Sequence, residues 1–161
     1  CCIGFCLVGV EQRTLKNQER KVNIFVLDDD RYYGLFLQNA LRAEGYDVRY
    51  FQHEYECIEQ LKLLPDVLIL DHKLETLTGL DVLDEVKRQC KGKTQVIYLS
   101  AQEHGHIVIK ALKEGATTYL EKDEGVVSAV KEAISRMVKL TNNFNESLDL
   151  KAYRNCSLPY L

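Results

Sequence analysis

The stretch IFVLDDD, residues 24–30, sets four apolar residues directly against three aspartates. The apolar part is short, β-branched and aromatic, and reads as a strand buried on both faces. Carboxylates crowded at the end of such a strand raise one another's pKa unless positive charge stands close by. The cluster therefore calls for a counter-charge.

From Lys21 onward, strand-like and helix-like segments alternate. Strands are predicted at Val22–Leu27, Tyr46–Phe51, Val67–Leu70, Gln95–Leu99 and Thr117–Leu120. Helices are predicted at Asp30–Glu44, His53–Leu64, Gly79–Cys90, His104–Glu114 and Glu124–Leu140, from apolar residues recurring at helical spacing. Gly45, Pro65 and Gly115 stand where helices should stop. In the fourth helix the apolar stripe reads as Val108–Ala111–Leu112, which leaves Ile107 and Ile109 at or beyond its edge, one of them open to a partner. Five βα units with wholly apolar strands predict an α/β fold, a doubly wound five-stranded parallel sheet covered on both faces.

A length of 161 residues fits one such domain with short extensions. Residues 21–140 form the domain, 1–20 an N-terminal extension, and 141–161 a tail with little periodicity. The extension opens on CCIGFCLVGV, an apolar run too short to span a bilayer, which takes about 20 residues. The end of a truncated membrane helix, a linker and a loose extension all fit it. With a net charge of −3 and Lys and Arg scattered among acids, no nucleic-acid face is expected on this segment, nor any membrane contact by the domain itself. Of six cysteines, none forms a CxxC pair; Cys57 and Cys90 fall in helices and read as small apolar residues. A reducing, cytoplasmic setting without disulfides is the expectation.

In a parallel α/β sheet, ligands bind beyond the carboxyl ends of the strands. Asp28, Asp29 and Asp30 follow the first strand, Asp71 the third, Ser100 and Ala101 the fourth, and Lys122 the fifth. A hard divalent cation resolves the repulsion of such acids, and Mg²⁺ takes one or two carboxylates together with phosphate oxygens. A lysine and a hydroxyl suit a phosphoryl group as charge partner and hydrogen-bond donor. The chemistry implied is phosphoryl transfer onto an aspartate.

With FVLDDD, EGYDV, PDVLILDHKLETLTGLDVL, VIYLSA and LKEGATTYLEK in order, residues 22–138 resemble the receiver domain of two-component response regulators, the CheY-like superfamily. The resemblance implies a flavodoxin-like strand order 2-1-3-4-5 and a non-enzymatic phospho-acceptor. It implies Asp71 as phosphoacceptor, Asp29 as a direct Mg²⁺ ligand, Asp28 acting mostly through water, and the backbone carbonyl of Lys73 as a further ligand. Ser100 takes the switch Ser/Thr position, Lys122 that of the phosphoryl-pairing lysine, and Tyr119 that of the switch aromatic. The implied donor is a histidine kinase or histidine phosphotransfer protein. The implied output surface is the fourth helix, fifth strand and fifth helix, where homodimers also form in this family.

The match departs from the family at Glu75 and Asp123, where prolines are usual, the second often after a cis peptide. Lys73 and Gln102 stand where the family tunes phosphoryl lifetime. Asp30 also reads as a helix N-cap, and Tyr119 as an ordinary half-buried strand aromatic. His104 and His106 read as surface residues. Two other functions fit less of the sequence. One is a receiver-like binding module that works without phosphorylation. The other is a haloacid-dehalogenase-type phosphatase using Asp28 and Asp30, which lacks the hydroxyl usual at the position of Tyr32.

Overall fold

The computed structural model describes residues 20–101 and 105–154, with side chains to residue 140. The sheet holds five parallel strands: β1 (Asn23–Leu27), β2 (Asp47–Phe51), β3 (Val67–Asp71), β4 (Gln95–Ser100) and β5 (Thr118–Glu121). Their order is β2-β1-β3-β4-β5. The helices are α1 (Arg31–Arg42), α2 (Glu54–Gln60), α3 (Gly79–Cys90), α4 (Gly105–Lys113) and α5 (Val126–Arg154).

Strand side chains alternate between faces, so each strand feeds two cores. Phe25, Leu27, Leu68, Leu70, Val96 and Tyr98 pack on one face with Cys57, Val82, Leu83 and Ala111. Ile24, Val26, Val67, Ile69, Ile97 and Leu99 pack on the other with Leu37, Leu41, Val130 and Ile134. This double burial is why the strands read as continuous apolar runs rather than alternating ones. Cys57 and Cys90 are free and buried, and burial pushes the Cys57 thiol up to about 12, so it packs as an apolar group. The remaining four cysteines lie outside the described residues.

Local signals set the ends. Asp30 caps α1, its carboxylate accepting from the backbone N–H of Tyr32 and Tyr33. Thr78 and Asp81 form a reciprocal capping box on α3. Gly34, inside α1, admits the Tyr50 ring: a Cβ there would fall 2.1 Å from a ring carbon. Tyr50 then donates its hydroxyl to the carbonyl of Asp28 at 3.0 Å, fixing the end of β1.

Three expectations need correction. The second helix stops at Gln60 and passes through a 3-10 turn, Leu61–Leu63, before Leu64 adopts φ +50° ahead of Pro65. In α4 the buried face is Ile107 and Ala111, while Leu112 and Ile109 are exposed and Val108 is half-buried. The stripe is rotated because Ile107 and Ala111, four apart, share the face that meets the core below β4. The last helix does not end at Leu140 but continues to Arg154, so the segment read as a tail is helical to that point. Among the described residues, no helix is long and apolar enough to cross a membrane.

Candidate functional site

The C-terminal edge of the sheet carries a cleft of about 570 Å³ lined by Asp29, Asp71, Lys73, Ser100, Ala101 and Lys122, among others. Four of the five strands, β1, β3, β4 and β5, end by delivering groups to this edge. After β1 come Asp28, 1% exposed, and the half-buried Asp29. Asp71 closes β3 at 4% exposure and Ser100 closes β4 at 2%. Lys122 follows β5, tethered by its backbone N–H to the Ser100 carbonyl at 2.9 Å.

Charge is unevenly balanced here. The Lys122 ammonium lies 2.6 Å from Asp28 Oδ2 and 3.1 Å from Asp71 Oδ1. Carboxylate oxygens of Asp28, Asp29 and Asp71 all lie within 4.8 Å of one another. Three negative groups thus face one positive group. Burial pushes the Asp28 carboxyl up to about 6 despite its bond to Lys122. Burial also raises Asp71, with Lys122 opposing the shift. Oxygen donors at this spacing, with two negative charges left over, fit a hard divalent cation.

Neither missing proline disturbs this arrangement. There is no cis peptide bond among the described residues, and Lys122 still reaches both aspartates. Asp123 instead receives the Gly125 N–H on its side chain at 2.8 Å at the approach to α5. Glu75 is exposed, 3.5 Å from His53. Asp30 is spent on capping α1, so its carboxylate does not join the Asp28–Asp29–Asp71 group. Tyr119 is half-buried on β5, outside the cleft lining. His106 is exposed as expected; Gln102 and His104 lie outside the described residues.

Three contributors escaped the sequence reading. Glu54, at the start of α2, is 2% exposed and accepts from the backbone N–H of Thr76 and Leu77 at 2.9 and 3.0 Å and from the Thr76 hydroxyl. Burial opposes its ionisation, but these donors outweigh burial and hold the carboxyl below its ordinary value. It clamps the loop between β3 and α3. Glu54→Ala is expected to lower stability by about 2–3 kcal/mol, since charge-assisted bonds are lost and two loop amides are left without a partner; urea unfolding measures this. Tyr33, on α1, places its ring 4.3 Å from the Lys122 ammonium and shields it, a cation–π contact. Tyr98, in β4, bonds through its hydroxyl to His72 Nδ1 at 2.7 Å. None of these pairings has a local signature, because the partners stand on different elements.

Comparisons with known proteins agree with this geometry. The family model for the response regulator receiver domain matches residues 24–134. The DNA-binding transcriptional regulator NtrC of Proteus hauseri is 30% identical over 130 residues, 77% of this chain and 27% of that protein. The response regulator SaeR of Staphylococcus aureus is 30% identical over 120 residues, 73% of this chain and 52% of that protein. The chain thus spans about a quarter and about half of these relatives' lengths. Among solved structures, a CheY-like receiver domain protein from Methanospirillum hungatei superposes with a TM-score of 0.66 at 20% identity, over 74% of this chain and 98% of that one. NtrX from Brucella abortus gives 0.70 at 24% identity, over 79% and 29%. With the strand order 2-1-3-4-5 and its acidic cluster at the carboxyl edge, the chain belongs to the response regulator receiver family of two-component signalling.

Proposed function

We propose that this receiver domain accepts a phosphoryl group on Asp71 from a phosphohistidine of a histidine kinase or histidine phosphotransfer protein. The observation that carries this reading is the meeting of the Asp28, Asp29 and Asp71 carboxylates within 4.8 Å at one sheet edge, with Lys122 bridging two of them. In the transfer, an Asp71 carboxylate oxygen forms a bond to phosphorus. The P–N bond of the donor breaks, and the freed imidazole nitrogen keeps its electron pair.

Asp28, Asp29, Asp71 and the backbone carbonyl of Lys73 would hold Mg²⁺. When bound, that ion neutralises the phosphoryl oxygens and favours in-line displacement. Lys122 would leave its carboxylate partners for a phosphoryl oxygen, and the Ser100 hydroxyl would donate to another. Tyr119 then adjusts on β5, and the α4–β5–α5 surface changes with it. The exposed Ile109 and Leu112 are the apolar groups that α4 offers, to a downstream partner or a second copy. Several basic side chains are tied into ion pairs, as in Arg20–Asp66, Lys87–Glu114 and Lys131–Glu44, so we assign no nucleic-acid contact to this segment. We place the domain in the cytoplasm, the usual setting of the family.

Phosphoimidazole, a small molecule with the donor's P–N bond, tests this reading through the imidazole it releases. One rapid equivalent per chain with Mg²⁺, followed by a slow phase, is the expected result. Sustained rapid turnover would make the protein a phosphatase instead, and no burst would favour a module that binds partners unmodified.

A further inference from the structure

Buried strand positions are cheapest to fill with apolar side chains, yet the β4 position two before Ser100 holds a tyrosine, fully buried. A buried hydroxyl requires a partner. The partner is His72, the residue after Asp71, with Nδ1 at 2.7 Å. That hydroxyl also lies beneath the first residue of α3: a Cβ on Gly79 would fall 2.8 Å from it. Gly79 in turn donates its N–H to the His72 carbonyl at 2.8 Å. Both ends of the loop that carries Lys73 therefore meet at one phenol oxygen. The other end of the contact chain is on β5. Tyr98 and Tyr119 are cross-strand neighbours, with ring centroids 6.2 Å apart and planes 20° apart.

We propose that Tyr98 is a positioning residue that ties the β3–α3 loop to Tyr119, so that the setting of the Lys73 carbonyl and the setting of the Tyr119 ring change together. This rests on the cleft being a Mg²⁺ and phosphoryl site. The link is direct, running from loop to His72, to Tyr98, to Tyr119, beside the route through Ser100. A ring with no exposed surface in a close-packed core has little room to absorb a displacement of His72, and passes it to the ring stacked on it.

Tyr98→Phe keeps the stacked ring and removes the hydroxyl. His72→Phe breaks the same bond from the half-buried loop side. Two quantities are read: the dissociation constant for Mg²⁺, and the Tyr119 resonance in fluorotyrosine-labelled protein, assigned with Tyr119→Phe, before and after Mg²⁺ with beryllofluoride. Each single variant is expected to weaken Mg²⁺ binding about 3- to 10-fold, with the double variant no weaker than either single. The Tyr119 shift on adding Mg²⁺ and beryllofluoride is expected to fall by at least half in each, a change that simple loss of stability would not produce in folded protein. Unchanged Mg²⁺ affinity and an unchanged Tyr119 shift in Tyr98→Phe would overturn the proposal, as would additive losses in the double variant. If Tyr98→Phe does not fold, His72→Phe decides on the same two readouts. Failure of the unsubstituted protein to bind Mg²⁺ would remove the phosphoryl-site reading and the coupling with it, whereas normal binding with unaffected variants removes the coupling alone.

Discussion

Asp28→Asn is expected to stabilise the protein in the absence of divalent cations, by about 3 kcal/mol above pH 6. Burial pushes the folded carboxyl up to about 6 from its ordinary 3.8. Between those values the folded state holds a proton that the unfolded state has released, so stability falls as pH rises through the window. Above pH 6 the cost of burying the ionised group is fully present. Asparagine carries no such cost at any pH, and its amide oxygen can still accept from the Asp30 N–H, which now reaches Asp28 Oδ1 at 3.0 Å. Lys122 keeps Asp71 at 3.1 Å. Urea unfolding should show the gain at pH 7.5 and little of it at pH 3.5. The same variant should bind Mg²⁺ at least about tenfold more weakly, because a negative donor is lost. On this account stability is given up at Asp28 to keep a charge that Lys122 offsets only in part and that a bound divalent cation would satisfy. A variant less stable than the parent at pH 7.5 without cations would refute this account of the cluster.

Gly79→Ala is expected to cost about 3 kcal/mol. The new methyl would fall 2.4 Å from the Asp71 carbonyl oxygen and 2.8 Å from the Tyr98 hydroxyl. Both neighbours belong to buried strands at the centre of the sheet, so neither can give way cheaply. Relief has to come from moving the start of α3, which breaks the Gly79 N–H bond to the His72 carbonyl and disturbs the loop carrying Lys73. The midpoint of urea unfolding should drop accordingly, and phosphoryl uptake should slow in whatever protein remains folded. Gly92, where φ is +78° and an added Cβ would meet nothing within 4 Å, offers the contrasting control: alanine there strains only the backbone.

Residues whose position follows from their own strand could be read from the sequence. Asp28, Asp71, Ser100 and Lys122 each sit at or just past a strand end, and a parallel sheet brings all those ends to one edge. The α3 helix was legible to the residue, because a polar loop precedes it and its apolar spacing is regular. The α4 stripe was displaced by one residue, since Ile107, Val108 and Ile109 are consecutive apolar residues and only packing decides which faces in. Asn142 and Asn143 looked like a loop, yet residues 141–154 contain neither Gly nor Pro, and nothing local stops the helix within them. Glu54, Tyr33 and Tyr98 were out of reach for another reason. Glu54 meets a loop 22 residues away, and Tyr98 a histidine 26 away. An acidic residue at a helix start and a tyrosine in a strand are locally ordinary, so only the folded arrangement shows what they hold.

Intact mass after incubation with acetyl phosphate, with and without Mg²⁺ and alongside Asp71→Ala, tests the central claim most directly. One Mg²⁺-dependent phosphoryl addition to the parent chain and none to the variant is the result this account predicts. An addition that persists in Asp71→Ala, or none in a parent chain that binds Mg²⁺, would contradict it.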